Sequence, residues 1–445
     1  MEMGKNNELL VGIDEKVGVK KGLFLGIQHV LSMDLYVFPV VLAAMIGLSV
    51  GESTYLIQMC FFACGIATLI QTYFGLKLPV VQGSSYICLG ALASIGVTKG
   101  LDVMIGSIIP GAIILCLLGL TGIFAKFVKY CIPPFVGGLV IMIVGISLSP
   151  TAVTGIFSSA ENVGGTAIPG IVTLVVLVTC MIVEYYKNSR LLSMISVILA
   201  IVAGCIASAF TGTLDFSAVS SAAWFQFPSI FHFGVPKFDL SSVLILVFLY
   251  FLVLIETTGT WITVADVTHT ELQDKQLNRA VIGEGLGCLI ASIFGGTPLT
   301  GYSSNAGVIS ITKVGSKQVV GFAAIILIAL GLSPKIMSVI ACIPASVING
   351  VFLVVCQILV ANGFKIVQKE TISARNSIIM GLSVAITVGS MSISSDVISQ
   401  FPVIIQYFVS SGTAVGAFTA VLLNLLLPKI RIDNVKEEVI SNETV

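Results

Sequence analysis

The chain has 445 residues, of which 56% are hydrophobic and 10% charged, and its formal net charge is zero. Soluble domains carry roughly 25% charged residues, so a globule covered by water is excluded, and no basic patch offers a footing for nucleic acid. Apolar runs of about 18 or more residues, enough to cross a bilayer, recur along the chain and read as a polytopic membrane protein.

The first stretch, MEMGKNNELLVGIDEKVGVKKG, is polar and ends in Lys20 and Lys21. It reads as a cytoplasmic tail over 1–21 and carries no cleavable signal peptide. Seven segments follow at 23–48, 56–74, 80–95, 103–124, 135–148, 168–185 and 191–210. A second seven lie at 243–264, 281–294, 297–312, 319–332, 336–360, 378–388 and 401–427, ahead of a tail at 429–445. The ten cysteines sit almost all within these spans and read as helix packing, not as metal or disulfide chemistry. His232 and His269 fall in connections and read as solvated.

Charge supports this count. Lys77, Lys187, Arg190, Lys275, Arg279, Lys313, Lys317, Lys365 and Arg375 all follow even-numbered segments, whereas Lys99, Lys237 and Lys335 fall on the other side. The positive-inside rule then places both termini in the cytoplasm. Fourteen segments divide into two sets of seven, and an odd number per half turns the second set upside down, the inverted-repeat plan of many secondary transporters.

On that plan segments three and ten correspond. Segment three opens LPVVQGSSYICLG (78–90) and segment ten TPLTGYSSNAGVI (297–309). In each, a proline (Pro79, Pro298) stands five residues before a serine pair, Ser84-Ser85 and Ser303-Ser304. Proline interrupts a helix and serine is a good N-cap, so short extended stretches leading into half-helices are expected here. A helix that starts in mid-membrane turns unpaired N–H groups and a partial positive charge toward its site. Close packing of small residues also explains glycines and serines, but not the buried amides Gln82 and Asn305.

Ionisable residues inside spans are costly and are functional candidates. They are His29 and Asp34 in segment one, Glu256 in segment eight and Glu284 in segment nine. No lysine or arginine lies deep enough in the spans to neutralise them, which points to groups that bind protons.

Taken together these motifs resemble the nucleobase–ascorbate transporter family, also called the xanthine/uracil permeases. SNAGVISITK (304–313) fits the family signature through Asn305, Gly307, Thr312 and Lys313. Gln28-His29, QGSSY, IETTG, Glu284-Gly285, IPPFVGGLVIMIVGISL (132–148) and SARN (373–376) also resemble family motifs, in order along the chain. The resemblance implies an all-α protein with short strands and half-helices in segments three and ten. It implies a core domain from 22–130 and 240–334 that moves against a gate domain from 131–239 and 335–428. It implies Glu256 on the ring N–H groups of a base and backbone contacts near Ser85, Tyr86, Tyr302, Ser303 and Ser304, with Gln82 beside them. Glu284, His29, Asn305 and Asp34 would organise the core. Two residues depart from the pattern: Ser304 replaces the usual Gln or Glu, and Thr260 a common Asp.

The expected function is proton-coupled uptake of a nucleobase across the cytoplasmic membrane, by a protein that needs no cofactor and dimerises through its gate domains. An oxidised purine such as xanthine or urate is favoured, and sodium is left open as coupling ion. The rival readings are a uracil or other pyrimidine permease and an anion transporter of the same architecture. An intramembrane enzyme would need a motif such as H-E-x-x-H, which the chain lacks.

Overall fold

The computed structural model describes residues 9–125, 133–157, 163–187, 190–370 and 373–427. The expected tail at 429–445 lies outside them. The described chain is almost wholly helical. Its first half carries α1 (Val19–Leu31), α2 (Val37–Ile46), α3 (Val50–Leu69), α4 (Leu89–Lys99), α5 (Leu101–Thr121), α6 (Pro134–Ile156), α7 (Val163–Lys187) and α8 (Arg190–Thr211). Its second half carries α9 (Leu240–Val267), α10 (Asp274–Phe294), α11 (Ser304–Thr312), α12 (Lys317–Gly331), α13 (Pro334–Ala341), α14 (Ala345–Val367), α15 (Ala374–Ser390) and α16 (Gly412–Leu426). Among the described residues seven helices are long and apolar enough to cross a membrane: α3, α5, α6, α7, α9, α10 and α14.

The other expected segments are broken or short, for local reasons. Segment one is two helices, α1 and α2, separated at 32–36 around Asp34. Segment twelve, expected as one span over 336–360, is split between α13 and α14 by Pro344, which also restricts Ile343 to non-helical backbone. Instead α13 pairs with α12 across an 82° bend, at whose corner Pro334 opens the new helix. The last segment breaks at Ser411, whose hydroxyl accepts the Ala414 N–H at 3.2 Å and starts α16.

At the centre lie the only strands among the described residues, β1 (Gln82–Ser84) and β2 (Leu299–Gly301). They pair antiparallel, Gln82 with Gly301 and Ser84 with Leu299. The pairing is extended by Ser85 N–H to Pro298 O (2.9 Å) and Tyr302 N–H to Val81 O (3.0 Å). Extended backbone at membrane depth is tolerated only where protein covers it. Here each strand satisfies the other, and every residue of both is buried.

Within the expected tail at 1–21, residues 10–17 are docked on the protein. Leu10 N–H reaches Lys313 O (2.8 Å), Gly315 N–H reaches Val11 O (3.0 Å), and Lys317 pairs with Asp14 (2.7 Å). The long connection 212–239 is likewise strapped down. Phe231 N–H donates to Ile293 O (2.9 Å), and His232, exposed as expected, lays one face on Tyr55 with ring centroids 3.6 Å apart.

Ahead of α9, Lys99 pairs with Asp239. The Lys99 ammonium, aided by the Ser242 N–H and hydroxyl, holds the Asp239 carboxyl down at about 2. A depressed carboxyl stabilises the fold fully above its unfolded value of about 4 and loses that contribution as pH falls through its folded value. Asp239→Asn is therefore expected to lower the melting temperature in detergent at neutral pH by a small, salt-dependent amount, read by a thermal-shift assay at low and high salt.

Candidate functional site

The site is built around the strand pair. After β1 a 3-10 turn (Tyr86–Cys88) leads into α4, and two residues after β2 α11 begins. Because the strands are antiparallel, the two half-helices leave them in opposite directions. Their first internal hydrogen bonds are Cys88 N–H to Ser85 O (3.3 Å) and Asn305 N–H to Tyr302 O (3.2 Å). The N–H groups of Tyr86, Ile87, Ser303 and Ser304 lie ahead of those bonds, as donors at two positive helix ends.

The expected serine caps are not made. Neither Ser85 nor Ser303 accepts a capping bond. Ser85 Oγ instead donates to Glu256 Oε2 at 2.7 Å, and Ser84 Oγ accepts from Thr297 Oγ1 at 2.9 Å. A carboxylate from a distant helix has taken the hydroxyl that local rules assign to the backbone.

Helix α9 presents Glu256, Thr257 and Thr260 to the strands. The Gly301 N–H donates to Thr257 Oγ1 and Thr260 Oγ1 donates to Gly301 O, both at 2.9 Å. Two threonines thus satisfy both polar groups of one strand residue. This gives Thr260 a use in the scaffold, in place of the carboxylate the family pattern often sets there. A net hydrogen bond is worth about 1 kcal/mol, and valine at either position leaves a buried backbone group unpaired. Thr257→Val and Thr260→Val are each expected to destabilise the protein by about 1–3 kcal/mol, read as a lowered melting temperature.

Glu284 on α10 is 1% exposed and clamped by two glutamines. Gln71 Nε2 donates to its Oε2 at 2.7 Å and to Ala280 O at 2.8 Å. Gln82, with its amide nitrogen facing the carboxylate, donates to Glu284 Oε1 (3.0 Å) and to Thr300 O (3.1 Å). Gln82 therefore ties β1 to Glu284. Gln71 was not among the residues singled out in the sequence. It sits in a π-helical turn (Ile70–Phe74), a feature frequent at functional sites. A glutamine inside an otherwise apolar span is the signal the sequence offers.

The remaining candidates close the ring. Asn305 Nδ2 donates to Pro79 O, and the His29 ring of α1 approaches the Asn305 amide. Tyr302 lies over Gly83 and donates to Ser84 O at 3.2 Å. Tyr86 donates to Asp34 Oδ2 at 2.7 Å. Ser304 Oγ is buried and has no partner among the described residues, a donor and acceptor left over at the first residue of α11. The three ion pairs found among the described residues, Lys99–Asp239, Lys237–Asp102 and Lys317–Asp14, involve neither Glu256 nor Glu284.

Two half-helices meet over a buried strand pair, beside the buried carboxylates Glu256 and Glu284, in an α-helical membrane protein. The fold is shared with the transmembrane domain of the cyanobacterium bicarbonate transporter BicA, at TM-score 0.63 and 17% identity over 91% of this chain and 97% of that one. Murine Slc26a9, an anion transporter in the inward-facing state, matches at TM-score 0.63 and 13% identity over 94% of this chain and 70% of that one. The Permease family of xanthine/uracil permeases matches residues 20–395, and the chain belongs to that family: it is a multi-pass permease, not an enzyme. The uric acid permease PucK of Bacillus subtilis (strain 168) is 33% identical over 90% of this chain and 94% of its own length. The xanthine permease of the same organism is 30% identical over 92% and 94%.

Proposed function

We propose that this permease takes up an oxidised purine, of which xanthine and urate are the first candidates, coupled to protons and by alternating access. The observation that carries the reading is the Ser85–Glu256 bond at the start of a mid-membrane half-helix. A carboxylate there accepts ring N–H groups. The backbone donors at Tyr86 and Ile87 and at Ser303 and Ser304 suit the carbonyl oxygens of an oxidised base. Ser304 Oγ is free to add one bond, directly or through water.

In this reading Glu256 binds the base, and Ser85, Tyr86, Tyr302 and Ser303 line it. Glu284, Gln82, His29, Asn305 and Asp34 hold the strand pair in place. The chain forms fourteen segments in two inverted sets of seven. A core at 22–130 and 240–334 moves against a gate at 131–239 and 335–428. Both termini face the cytoplasm and the gates join two copies. The names of the curated relatives support a purine. The shared fold with anion carriers says nothing of substrate, and among the described residues no lysine or arginine is paired with Glu256 to hold an anion.

A thermal-shift panel in detergent tests the substrate class. A ligand that binds only the folded protein at about 100 times its Kd stabilises it by about 2.7 kcal/mol. Xanthine or urate is expected to raise the melting temperature by several degrees, and uracil and bicarbonate by less than one. Stabilisation by bicarbonate alone would overturn the reading.

A further inference from the structure

Consecutive residues at the start of the first half-helix reach two different carboxylates. Ser85 takes Glu256 of α9, and Tyr86 takes Asp34. Asp34 stands in the break between α1 and α2, with no lysine or arginine paired to it among the described residues. The Tyr86 ring is enclosed on two further sides. Phe352 of α14 stacks on it, with centroids 5.7 Å apart and planes 21° from parallel. Phe38 of α2 meets it edge-on at 5.5 Å and 65°. The stack and the edge contact restrain the ring, and the bond to Asp34 fixes the direction of its hydroxyl.

From this geometry we infer that Asp34 is a positioning residue for recognition, setting through Tyr86 the size of heterocycle that the site accepts. The inference rests on the proposed uptake of a base. A phenol-to-carboxylate bond is of the stronger, charge-assisted kind. It fixes where the hydroxyl end of the ring lies beside the half-helix N-terminus, while the Phe352 and Phe38 contacts set the ring's tilt. Aromatic pairs prefer offset-stacked or edge-on arrangements, so a ring of fixed tilt favours one planar outline over another. A two-ring base spans more of that wall than a one-ring base and is more sensitive to its angle. Without the bond, the hydroxyl end of Tyr86 loses its anchor and can shift within the space that Phe352 and Phe38 leave, and the helix break loses its tie to the half-helix.

The test is a double-mutant cycle on uptake by the full-length protein in vesicles. Asp34→Ala and Tyr86→Phe are each expected to raise the KM for xanthine about tenfold, with the maximal rate within twofold of wild type and the weak inhibition of xanthine uptake by excess uracil moved less than twofold. The double variant is expected to be no worse than either single one, because both remove the same bond. Asp34→Asn, whose amide oxygen still accepts from the phenol, is expected to fall between wild type and Asp34→Ala. Should Asp34→Ala not purify as a monodisperse protein, Asp34→Asn and Tyr86→Phe carry the cycle. An unchanged xanthine KM, or an effect of the Asp34 substitution as large in the Tyr86→Phe background as in wild type, overturns the inference. A wild type that takes up no base refutes the functional reading itself, whereas base uptake with KM unmoved in the variants overturns this inference alone.

Discussion

Glu256→Gln is expected to reduce uptake by at least a hundredfold while leaving the melting temperature within a few degrees of wild type. The amide has nearly the shape of the carboxylate, and its oxygen still accepts from Ser85 Oγ, which the wild-type side chain meets at 2.7 Å. The fold is therefore retained. What is lost is an acceptor on both atoms and the ability to exchange a proton. An amide nitrogen facing a ring N–H sets donor against donor, and a hundredfold is about 2.7 kcal/mol, the range in which an unpaired buried donor falls. Initial uptake rates and a thermal-shift curve on the same preparation check both halves. Uptake at the wild-type rate would remove Glu256 from the site.

Gly83→Ala is expected to abolish uptake and lower the melting temperature by several degrees. A Cβ at this position would lie 2.1 Å from Tyr302 Cε2 and 2.6 Å from Leu35 Cδ2. The tyrosine has no room to yield, since its hydroxyl is tied to Ser84 O and its N–H to Val81 O. Overpacking of this kind costs about 1–3 kcal/mol, and here it falls on the hydrogen-bonded centre of the molecule. Shortening the partner should recover stability: Gly83→Ala combined with Tyr302→Leu is expected to melt closer to wild type than Gly83→Ala alone. A singly substituted protein with normal stability and uptake would show that the strand pair is not the rigid element described here.

The paired motifs carried most of what could be read in advance. Proline followed by a serine pair marked where strands lead into half-helices, and the structure pairs those strands residue against residue, Gly83 with Thr300. The reason is that both signals are local: proline restricts its own torsion, and short polar residues tolerate extended backbone. Glu256 stands out in the sequence because carboxylates are rare in apolar spans, and the structure sets it against Ser85 beside the strand pair.

What local rules missed was decided by distant partners. Ser85 caps nothing because Glu256, 171 residues away, claims its hydroxyl. The partners of the Gln82 amide, Glu284 and the Thr300 carbonyl, are equally distant in the chain and invisible to local rules. Gln71 gave no motif, and its role depends on the π-helical turn that carries it. The break around Asp34 has neither proline nor glycine between Ser32 and Tyr36 to announce it, whereas the splits at Pro344 and Ser411 follow rules visible in the sequence.

The central claim is that carboxylates without fixed counter-charges couple base movement to protons. The most direct test is the initial rate of labelled xanthine uptake by the purified protein in sealed vesicles, with and without an inside-alkaline pH gradient. The rate is expected to be several-fold higher with the gradient and to return to the basal rate with a protonophore. Equal rates with and without the gradient would contradict it.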